Sequence, residues 1–238
     1  MSASPLSDGT RLLAWARRAA GELERRRAEI NELNVFPVPD ADTGSNMAHT
    51  MAAAVQEASQ LPEEATLTEV AEALSVGAVR GARGNSGVVL SQVMRGLAQA
   101  SRRDIEEGEM LTDALNSAVG FVDRAIAEPV EGTIITVLRS AAEAAQTSEG
   151  RSLGDAATAA TAGARNALAL TQTQLPELRE AGVVDAGGAG LVAVLETLAQ
   201  PLGEPEDVVR HQPTNAGHGV AAELEVMFNF RGDLDALQ

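Results

Sequence analysis

Apolar residues recur at helical spacing along most of this chain, and that periodicity restricts the fold more than any other feature. In the segment 10–33 the residues on one helical face are Leu12, Ala16, Ala19, Leu23 and Ile30. The same spacing predicts seven more helices, which begin near residues 45 and 66 and then span 88–100, 111–127, 134–146, 153–171 and 190–199. Because the connections are short and no strand-like alternation precedes residue 215, the sequence predicts an all-α antiparallel bundle of eight helices.

The supply of core residues also favours a helical bundle. Aromatic residues make up 2% of the 238 residues, with one tryptophan and no tyrosine, so the core must come from Ala, Leu, Val and Ile. Helices that pack closely through alanine suit this supply better than a β-sandwich, whose strands favour aromatic and β-branched residues. Hydrophobic residues at 45% and charged residues at 22% are typical of a globular protein.

Charge and missing residue types exclude several kinds of site. A formal net charge of −16 argues against a broad basic face for duplex nucleic acid or anionic membranes. The absence of cysteine excludes disulfides, zinc–thiolate sites and cysteine nucleophiles. All 18 basic residues are arginine, which excludes the lysines of P-loops, protein kinases and Schiff-base enzymes. A phosphate site here would therefore use metal ions, backbone amides, hydroxyl groups and arginine.

Other patterns bear on location and domain organisation. The N-terminus lacks the apolar core of a signal peptide and no segment is apolar enough to span a bilayer, so we expect a cytoplasmic protein without an integral membrane segment. We expect the helical domain to occupy residues 1–200, and the Pro, Gly and charge content of 201–218 predicts a linker. Residues 219–238 alternate like a strand and then resemble a helix start, so we expect the cut-off beginning of an α/β domain.

The strongest polar signal lies in the segment "NVFPVPDADTGSN", residues 34–46. Asp40 and Asp42 are one residue apart in an extended or turning stretch, where two hard oxygen ligands suit Mg²⁺ or Mn²⁺. Asn34 could add a neutral oxygen. An EF-hand is excluded, because Ser45 stands where that loop requires glycine and Met51 where it requires glutamate. The same residues also suit a turn that caps the next helix, and the pattern alone leaves both interpretations open.

Four glycine-bearing breaks separate the predicted helices: "DADTGSN", "GARGNSG", "VEGT" and "VVDAGGAG". Alternate connections of an antiparallel bundle return to the same end, so several breaks could converge on one site. Helix N-termini expose free amides that bind phosphate, and the candidates for this role are Thr43, Gly44, Ser45, Asn46, Asn85 and Ser86. Ordinary turns use the same residue types, and that alternative also stays open.

Several charged residues lie near these breaks without a settled role. Asp185 stands at a helix start, where it is either part of the site or a simple cap. His49 follows the aspartate pair and we expect it to be structural. Arg80 and Arg83 flank the second break, where they either offset phosphate charge or lie in solvent. No catalytic residue is assigned beyond the metal site.

The motifs "LNVFPVPDADTGSNM", "GARGNSGVVLSQVMRG", "PVEGTIITVLR" and "EAGVVDAGGAGL" together resemble the N-terminal domain of the fatty acid kinase A subunit. This family is the bacterial branch of the dihydroxyacetone kinase L-domain superfamily. The resemblance covers residues from about 8 to 200 in order. It implies an eight-helix barrel that binds ATP through Mg²⁺, with two ions expected, at one end of the barrel.

The resemblance also implies roles for individual residues. Asp40 and Asp42 would be metal ligands, with Asn34 in place of an earlier metal-binding aspartate of the dihydroxyacetone kinases. The residues implied to bind or enclose the nucleotide are Thr43, Gly44, Ser45, Asn46, Asn85, Ser86, Thr133, Ile134, Asp185 and Gly187. One departure is Ala41, where the family usually has glycine; if φ is positive there, alanine adds strain of roughly 1 kcal/mol.

In the family, the γ-phosphate passes to the carboxylate of a fatty acid held by a separate DegV-type binding protein. A carboxylate is already ionised at neutral pH, so this chemistry needs no general base and no lysine. The resemblance therefore implies a DegV-type partner, ATP and ADP as ligands, and further domains that could form a homodimer. Two alternatives remain: a dihydroxyacetone kinase-type subunit, and a nucleotide-loaded regulatory module without catalysis.

Overall fold

A computed structural model describes residues 4–148 and 152–200, which form ten α-helices and no strand. The helices are α1 Gly9–Arg25, α2 Arg27–Glu32, α3 Thr43–Ala58, α4 Leu67–Arg80, α5 Gly84–Ala100, α6 Glu107–Ala125, α7 Ile134–Gln146, α8 Leu153–Gln174, α9 Pro176–Ala181 and α10 Ala186–Ala199. The all-α prediction is confirmed. The predicted linker 201–218 and second domain 219–238 lie outside the described residues.

Eight long helices form a closed ring, and α2 and α9 are short additions to it. Each long helix packs against the next one along the chain, and α10 packs back against α1. Short connections make successive helices antiparallel, so α3, α5, α7 and α10 begin at the same end of the ring. Within residues 4–148 and 152–200, no helix is long and apolar enough to cross a membrane.

The predicted helix 10–33 is two helices, because the chain leaves helical geometry at Arg26 (φ −91°, ψ 3°). The break directs α2 against the start of α3. There the backbone oxygen of Arg27 lies where a side chain on Gly44 would have to be. The Arg26 guanidinium binds Glu22 and, at 2.8 Å, Glu196 of α10, which ties this corner to the last helix of the ring.

Four helices begin earlier than their periodicity predicts, and three of them lie at the same end of the ring. The predicted starts are near 45, 88 and 190, whereas α3, α5 and α10 begin at Thr43, Gly84 and Ala186. Their first turns are rich in glycine and polar residues, which carry no apolar signal. α6 shows the same error, since it begins at Glu107 instead of residue 111.

The core is built from small and aliphatic residues, as the composition predicts. A side chain on Gly96 would collide with the backbone oxygen of Ala114, so α5 and α6 approach very closely. Trp15 is buried and its Nε1 donates a hydrogen bond to Thr197 Oγ1 at 2.9 Å. A cavity of about 20 Å³ beside Trp15 is lined only by apolar residues, including Leu97 near the end of α5. It therefore lies away from the end where α3, α5, α7 and α10 begin.

Candidate functional site

The four glycine-bearing breaks meet at one end of the ring. A Cβ atom on Gly84, at the start of α5, would lie 2.7 Å from Nδ2 of Asn46 in the first turn of α3. A side chain on Gly190 of α10 would collide with the sulfur of Met47, which follows Asn46. A Cβ on Gly187 would lie 3.1 Å from Cβ of Ile134, the first residue of α7. The structure thus brings together the starts of all four helices.

Asp40 and Asp42 lie together in the loop that leads into α3. Asp42 occupies the N-cap position, but its side chain makes no capping hydrogen bond to the helix. Burial and the negative charge of Asp40 raise the pKa of Asp42, and a hydrogen bond from the Asn46 side chain opposes this shift. Among the described residues neither carboxylate forms an ion pair with an arginine. The pair is therefore uncompensated negative charge, which a divalent cation would neutralise.

The backbone of Ala41, between the two aspartates, has φ of 55°. This left-handed conformation costs an alanine about 1 kcal/mol or more and costs glycine almost nothing. The chain bends at Ala41, between the two carboxylates. The expected strain at this position is therefore present in the structure.

Asn34 lies at the centre of this loop and is 6% exposed. Its Nδ2 donates to the backbone oxygen of Val38 at 2.6 Å and to Asp40 Oδ1 at 3.1 Å. Its Oδ1 accepts from the backbone N–H of Thr43 at 3.2 Å and from the Thr43 hydroxyl. The sequence predicts Asn34 as a metal ligand, and in this structure its side chain joins the aspartate loop to α3.

The start of α3 is less open to an anion than its sequence predicts. The backbone N–H of Thr43 is taken by Asn34, and that of Ser45 donates to Asn31 Oδ1 at 3.1 Å. Asn31 Nδ2 also donates to Ser45 Oγ at 3.0 Å. Of the first-turn amides, that of Gly44 has no protein partner within the described residues. Sequence reasoning missed Asn31, because its contact with α3 depends on the break at Arg26.

The start of α5 has the open geometry that α3 lacks. Its N-cap residue, Arg83, provides no side-chain cap, and Gly84 has φ of 60°. In the described part of the chain, the backbone amides of Gly84, Asn85 and Ser86 have no hydrogen-bond acceptor. Asn85 is exposed, whereas Ser86 is buried. These amides are therefore available to an anion.

Charged groups around the α5 start differ in their pairing. Arg83 is exposed and forms no ion pair with any described residue, whereas Arg80 pairs with Glu57 at 3.1 Å. His49 is exposed on α3, and partial burial and the nearby Arg83 charge lower its pKa. Arg83 is thus a cation beside the α5 start that no carboxylate in the described ranges neutralises.

Asp185 joins the starts of α7 and α10. Its Oδ2 accepts from the Gly188 amide at 2.6 Å, and the carboxylate also accepts from the Ile134 amide. Burial raises the pKa of Asp185 to about 6, against the opposing effect of these two hydrogen bonds. The backbone N–H of Asp185 donates to Thr171 Oγ1 at 3.0 Å, a contact that no sequence pattern signals. Asp185 is therefore a helix cap at the end of the ring where the four starts meet, and its part in a ligand site stays a prediction.

Thr133 has a capping role in this arrangement. Its hydroxyl donates to the Val130 backbone oxygen at 2.7 Å and accepts from the Ile135 amide at 3.3 Å. The N-cap side chains of α7 and α10 therefore each take up one first-turn amide of their own helix, while the amides of Ala186 and Gly187 have no acceptor among the described residues. Of the four helix starts, that of α5 alone keeps its three amides without an acceptor among the described residues.

The donor set fits a hard divalent cation that shares its coordination with phosphate and water. No three His, Asp or Glu side chains come together as a metal-binding group within residues 4–148 and 152–200. Mg²⁺ commonly binds through one or two carboxylates, several waters and the phosphates of its substrate. Asp40 and Asp42 supply two carboxylates, and the open start of α5 lies on the other side of Asn46.

A family model and several relatives match this chain. The model of the DAK2 domain matches residues 37–200. Protein YloV of Bacillus subtilis is 39% identical over 193 residues, which are 79% of this chain and 34% of that protein. An uncharacterized protein of Staphylococcus haemolyticus is 37% identical over 176 residues, covering 73% of this chain and 32% of that protein. The chain thus spans about a third of the length of these relatives.

A solved structure shares the fold. The dihydroxyacetone kinase from C. freundii in complex with AMP-PNP and Mg²⁺ superimposes with a TM-score of 0.58 at 22% identity. The match covers 79% of this chain and 33% of that protein.

Proposed function

Because the chain belongs to the DAK2 domain family, we propose that it binds Mg·ATP at the end of the ring where α3, α5, α7 and α10 begin, and that it serves a phosphotransferase. One observation carries the proposal: an uncompensated aspartate pair lies beside a helix start with free amides. The first suits a divalent cation and the second suits the phosphates that the cation would bridge.

Every predicted site residue except Asn34 has a proposed place in this site. Asp40 and Asp42 would hold Mg²⁺, which would neutralise negative charge on the phosphates, and a second ion is expected in the family. Groups proposed to contact phosphate are the Gly44 amide, the Ser45 hydroxyl, Asn46, Asn85 and Ser86. Those proposed to border the rest of the nucleotide are Thr43, Thr133, Ile134, Asp185 and Gly187.

The proposed acceptor is the carboxylate of a fatty acid presented by a DegV-type carrier protein. One carboxylate oxygen forms a bond to the γ-phosphorus while the bond from that phosphorus to the β,γ-bridging oxygen breaks, and the products are an acyl phosphate and ADP. The step needs positioning and charge neutralisation but no general base. The unpaired cation of Arg83 is proposed to add positive charge where other kinases use lysine.

Dihydroxyacetone is the second candidate acceptor, favoured by the structural likeness to a dihydroxyacetone kinase. Its hydroxyl group would have to lose a proton during transfer, which calls for a base near the γ-phosphate. A third arrangement, a regulatory module that holds nucleotide without turnover, predicts binding without any acceptor.

The test begins with calorimetric titration of ATP into the chain, with Mg²⁺ and with EDTA. Asp40→Ala/Asp42→Ala should abolish Mg²⁺-dependent binding. Glu63→Ala/Glu64→Ala removes the same charge from an exposed turn and should bind like the wild type. Equal binding in EDTA, or by the aspartate variant, would refute the metal site.

Acceptor assays then separate the candidates. A fatty acid on its carrier should yield ADP and an acyl phosphate that hydroxylamine traps as a hydroxamate. Turnover with dihydroxyacetone alone would select the second acceptor. Tight binding of ADP with neither product would select the regulatory module.

A further inference from the structure

We infer that Asn34 is a positioning residue that fixes Asp40 and the start of α3 for metal binding, and that it is not itself a metal ligand. The inference deepens the proposed Mg·ATP site and rests on it. It replaces the role that the resemblance implies for this position. The observations that carry it are the four hydrogen bonds of the Asn34 side chain.

Those four bonds use the whole hydrogen-bonding capacity of the side chain. A carboxamide has two N–H donors and an oxygen with two lone pairs. In Asn34 the donors reach the Val38 backbone oxygen and Asp40, and the oxygen accepts twice from Thr43. Because the residue is 6% exposed, water offers little alternative partnership. No lone pair remains for a metal.

The orientation of the carboxamide is dictated by its partners. The backbone N–H of Thr43 can only donate, so the Asn34 oxygen must face it. The backbone oxygen of Val38 can only accept, so the Asn34 nitrogen must face that side. The nitrogen therefore also faces Asp40. Turning the group over to present its oxygen to a metal between the aspartates would break contacts with both backbone groups.

These hydrogen bonds fix the position of the Asp40 carboxylate in the absence of a metal ion. Asp40 and Asp42 repel one another, and the hydrogen bond from Asn34 restrains one member of that pair. Groups that hold metal ligands in place typically change metal affinity by ten- to a hundredfold when they are removed. We therefore expect a similar loss when the Asn34 side chain is truncated.

Asn31 supplies a matched control within the same structure. It also binds a first-turn residue of α3 through both ends of its carboxamide, with distances of 3.0 and 3.1 Å to Ser45. It makes no hydrogen bond to Asp40 or Asp42 within the described residues. Truncation of Asn31 therefore removes a comparable anchor of α3 without touching the aspartates.

The first arm measures Mn²⁺ affinity, with free Mn²⁺ read by electron paramagnetic resonance. Asn34→Ala should bind Mn²⁺ about tenfold more weakly than the wild type, and Asn31→Ala should stay within about twofold. Equal affinity in Asn34→Ala and the wild type would overturn the positioning role. Absence of Mn²⁺ and Mg·ATP binding by the wild type would instead overturn the proposed function, and this inference with it.

The second arm needs no variant, so it holds even if Asn34→Ala fails to fold. The hydrogen exchange rate of the Thr43 backbone amide is measured by NMR in EDTA and in saturating Mg²⁺. A positioning Asn34 keeps its bond to Thr43, and the amide stays equally or better protected with Mg²⁺. If Asn34 were a ligand, its oxygen would leave Thr43, and a tenfold or larger loss of protection with Mg²⁺ would overturn the inference.

Discussion

The starts of α3 and α5 lie side by side, but they differ in whether their first-turn backbone amides have hydrogen-bond acceptors. At α3, Asn31 and Asn34 occupy the amides of Ser45 and Thr43. At α5, the N-cap Arg83 leaves the first-turn amides without an acceptor in the described part of the chain. The closed start stabilises the fold, whereas the open start keeps binding capacity that a ligand can use.

The starts of α7 and α10 extend the comparison, because one buried carboxylate accepts an amide hydrogen bond from each. Asp185 accepts from Ile134 and Gly188, each at the start of a different helix. At three of the four starts, side chains therefore take part of the first-turn amides. The aspartate pair belongs to a closed start and the free amides to an open one, which separates metal binding from phosphate binding in the proposed site.

The largest expected effect comes from blocking the open start with Gly84→Ala. Alanine at φ 60° is strained, and its Cβ would lie 2.7 Å from Asn46 Nδ2. We expect the free energy of unfolding to fall by about 2 kcal/mol and ATP affinity to fall about tenfold. Urea denaturation and calorimetry measure the two effects.

Gly21→Ala is the control for Gly84→Ala. Gly21 lies in α1, and a methyl group at this position would meet no atom within 4 Å, so alanine should stabilise the helix by about 0.5–1 kcal/mol. Wild-type stability and ATP affinity in Gly84→Ala would show that the α5 start tolerates a side chain and is not the phosphate site.

The second-largest expected effect is a pH dependence of the free energy of unfolding, which arises from Asp185 between the starts of α7 and α10. The pKa of Asp185 is about 6 in the folded protein and near 3.8 in the unfolded chain. The folded state therefore binds the proton more tightly, so this stabilisation is complete below pH 3.8 and is lost as the pH rises through 6. We expect the free energy of unfolding to increase by about 1 kcal/mol from pH 7 to pH 5.

Asp185→Asn should remove this part of the pH dependence, measured by urea denaturation at each pH. Asp155→Asn, at the exposed start of α8, removes the same charge and should keep the wild-type profile. If the free energy of unfolding changed with pH in the same way for Asp185→Asn and the wild type, Asp185 would not be the source of this pH dependence.

Two substitutions with smaller expected effects should open the start of α3 and cap the start of α5. Asn31→Ala opens α3 and should lower the free energy of unfolding by about 1 kcal/mol. Arg83→Ser supplies α5 with a capping side chain and should raise it by about 0.5–1 kcal/mol while weakening ATP binding. Thermal unfolding and ATP titration of both variants test the pair, and stability changes of the same sign would contradict the comparison.

Sequence reasoning succeeded where the signal is local and failed where it depends on tertiary contacts. Apolar periodicity located the eight long helices, but the glycine-rich first turns of α3, α5 and α10 placed their starts too late. Spacing alone identified Asp40 and Asp42 as a pair. The contacts of Asn31 with Ser45 and of Asp185 with Ile134 join separate segments, so no pattern in the chain could reveal them.

The smallest expected effect tests the strain between the two aspartates. Ala41→Gly relieves the cost of φ 55° but adds freedom to the unfolded chain, so we expect a net gain of only about 0.5 kcal/mol in the free energy of unfolding. Ala52→Gly, on the exposed side of α3, lacks that strain and should cost about 1 kcal/mol. Denaturation of the two variants side by side gives the difference directly. Equal losses would mean that the positive φ carries no cost at Ala41, and that the turn holding the carboxylates is not strained.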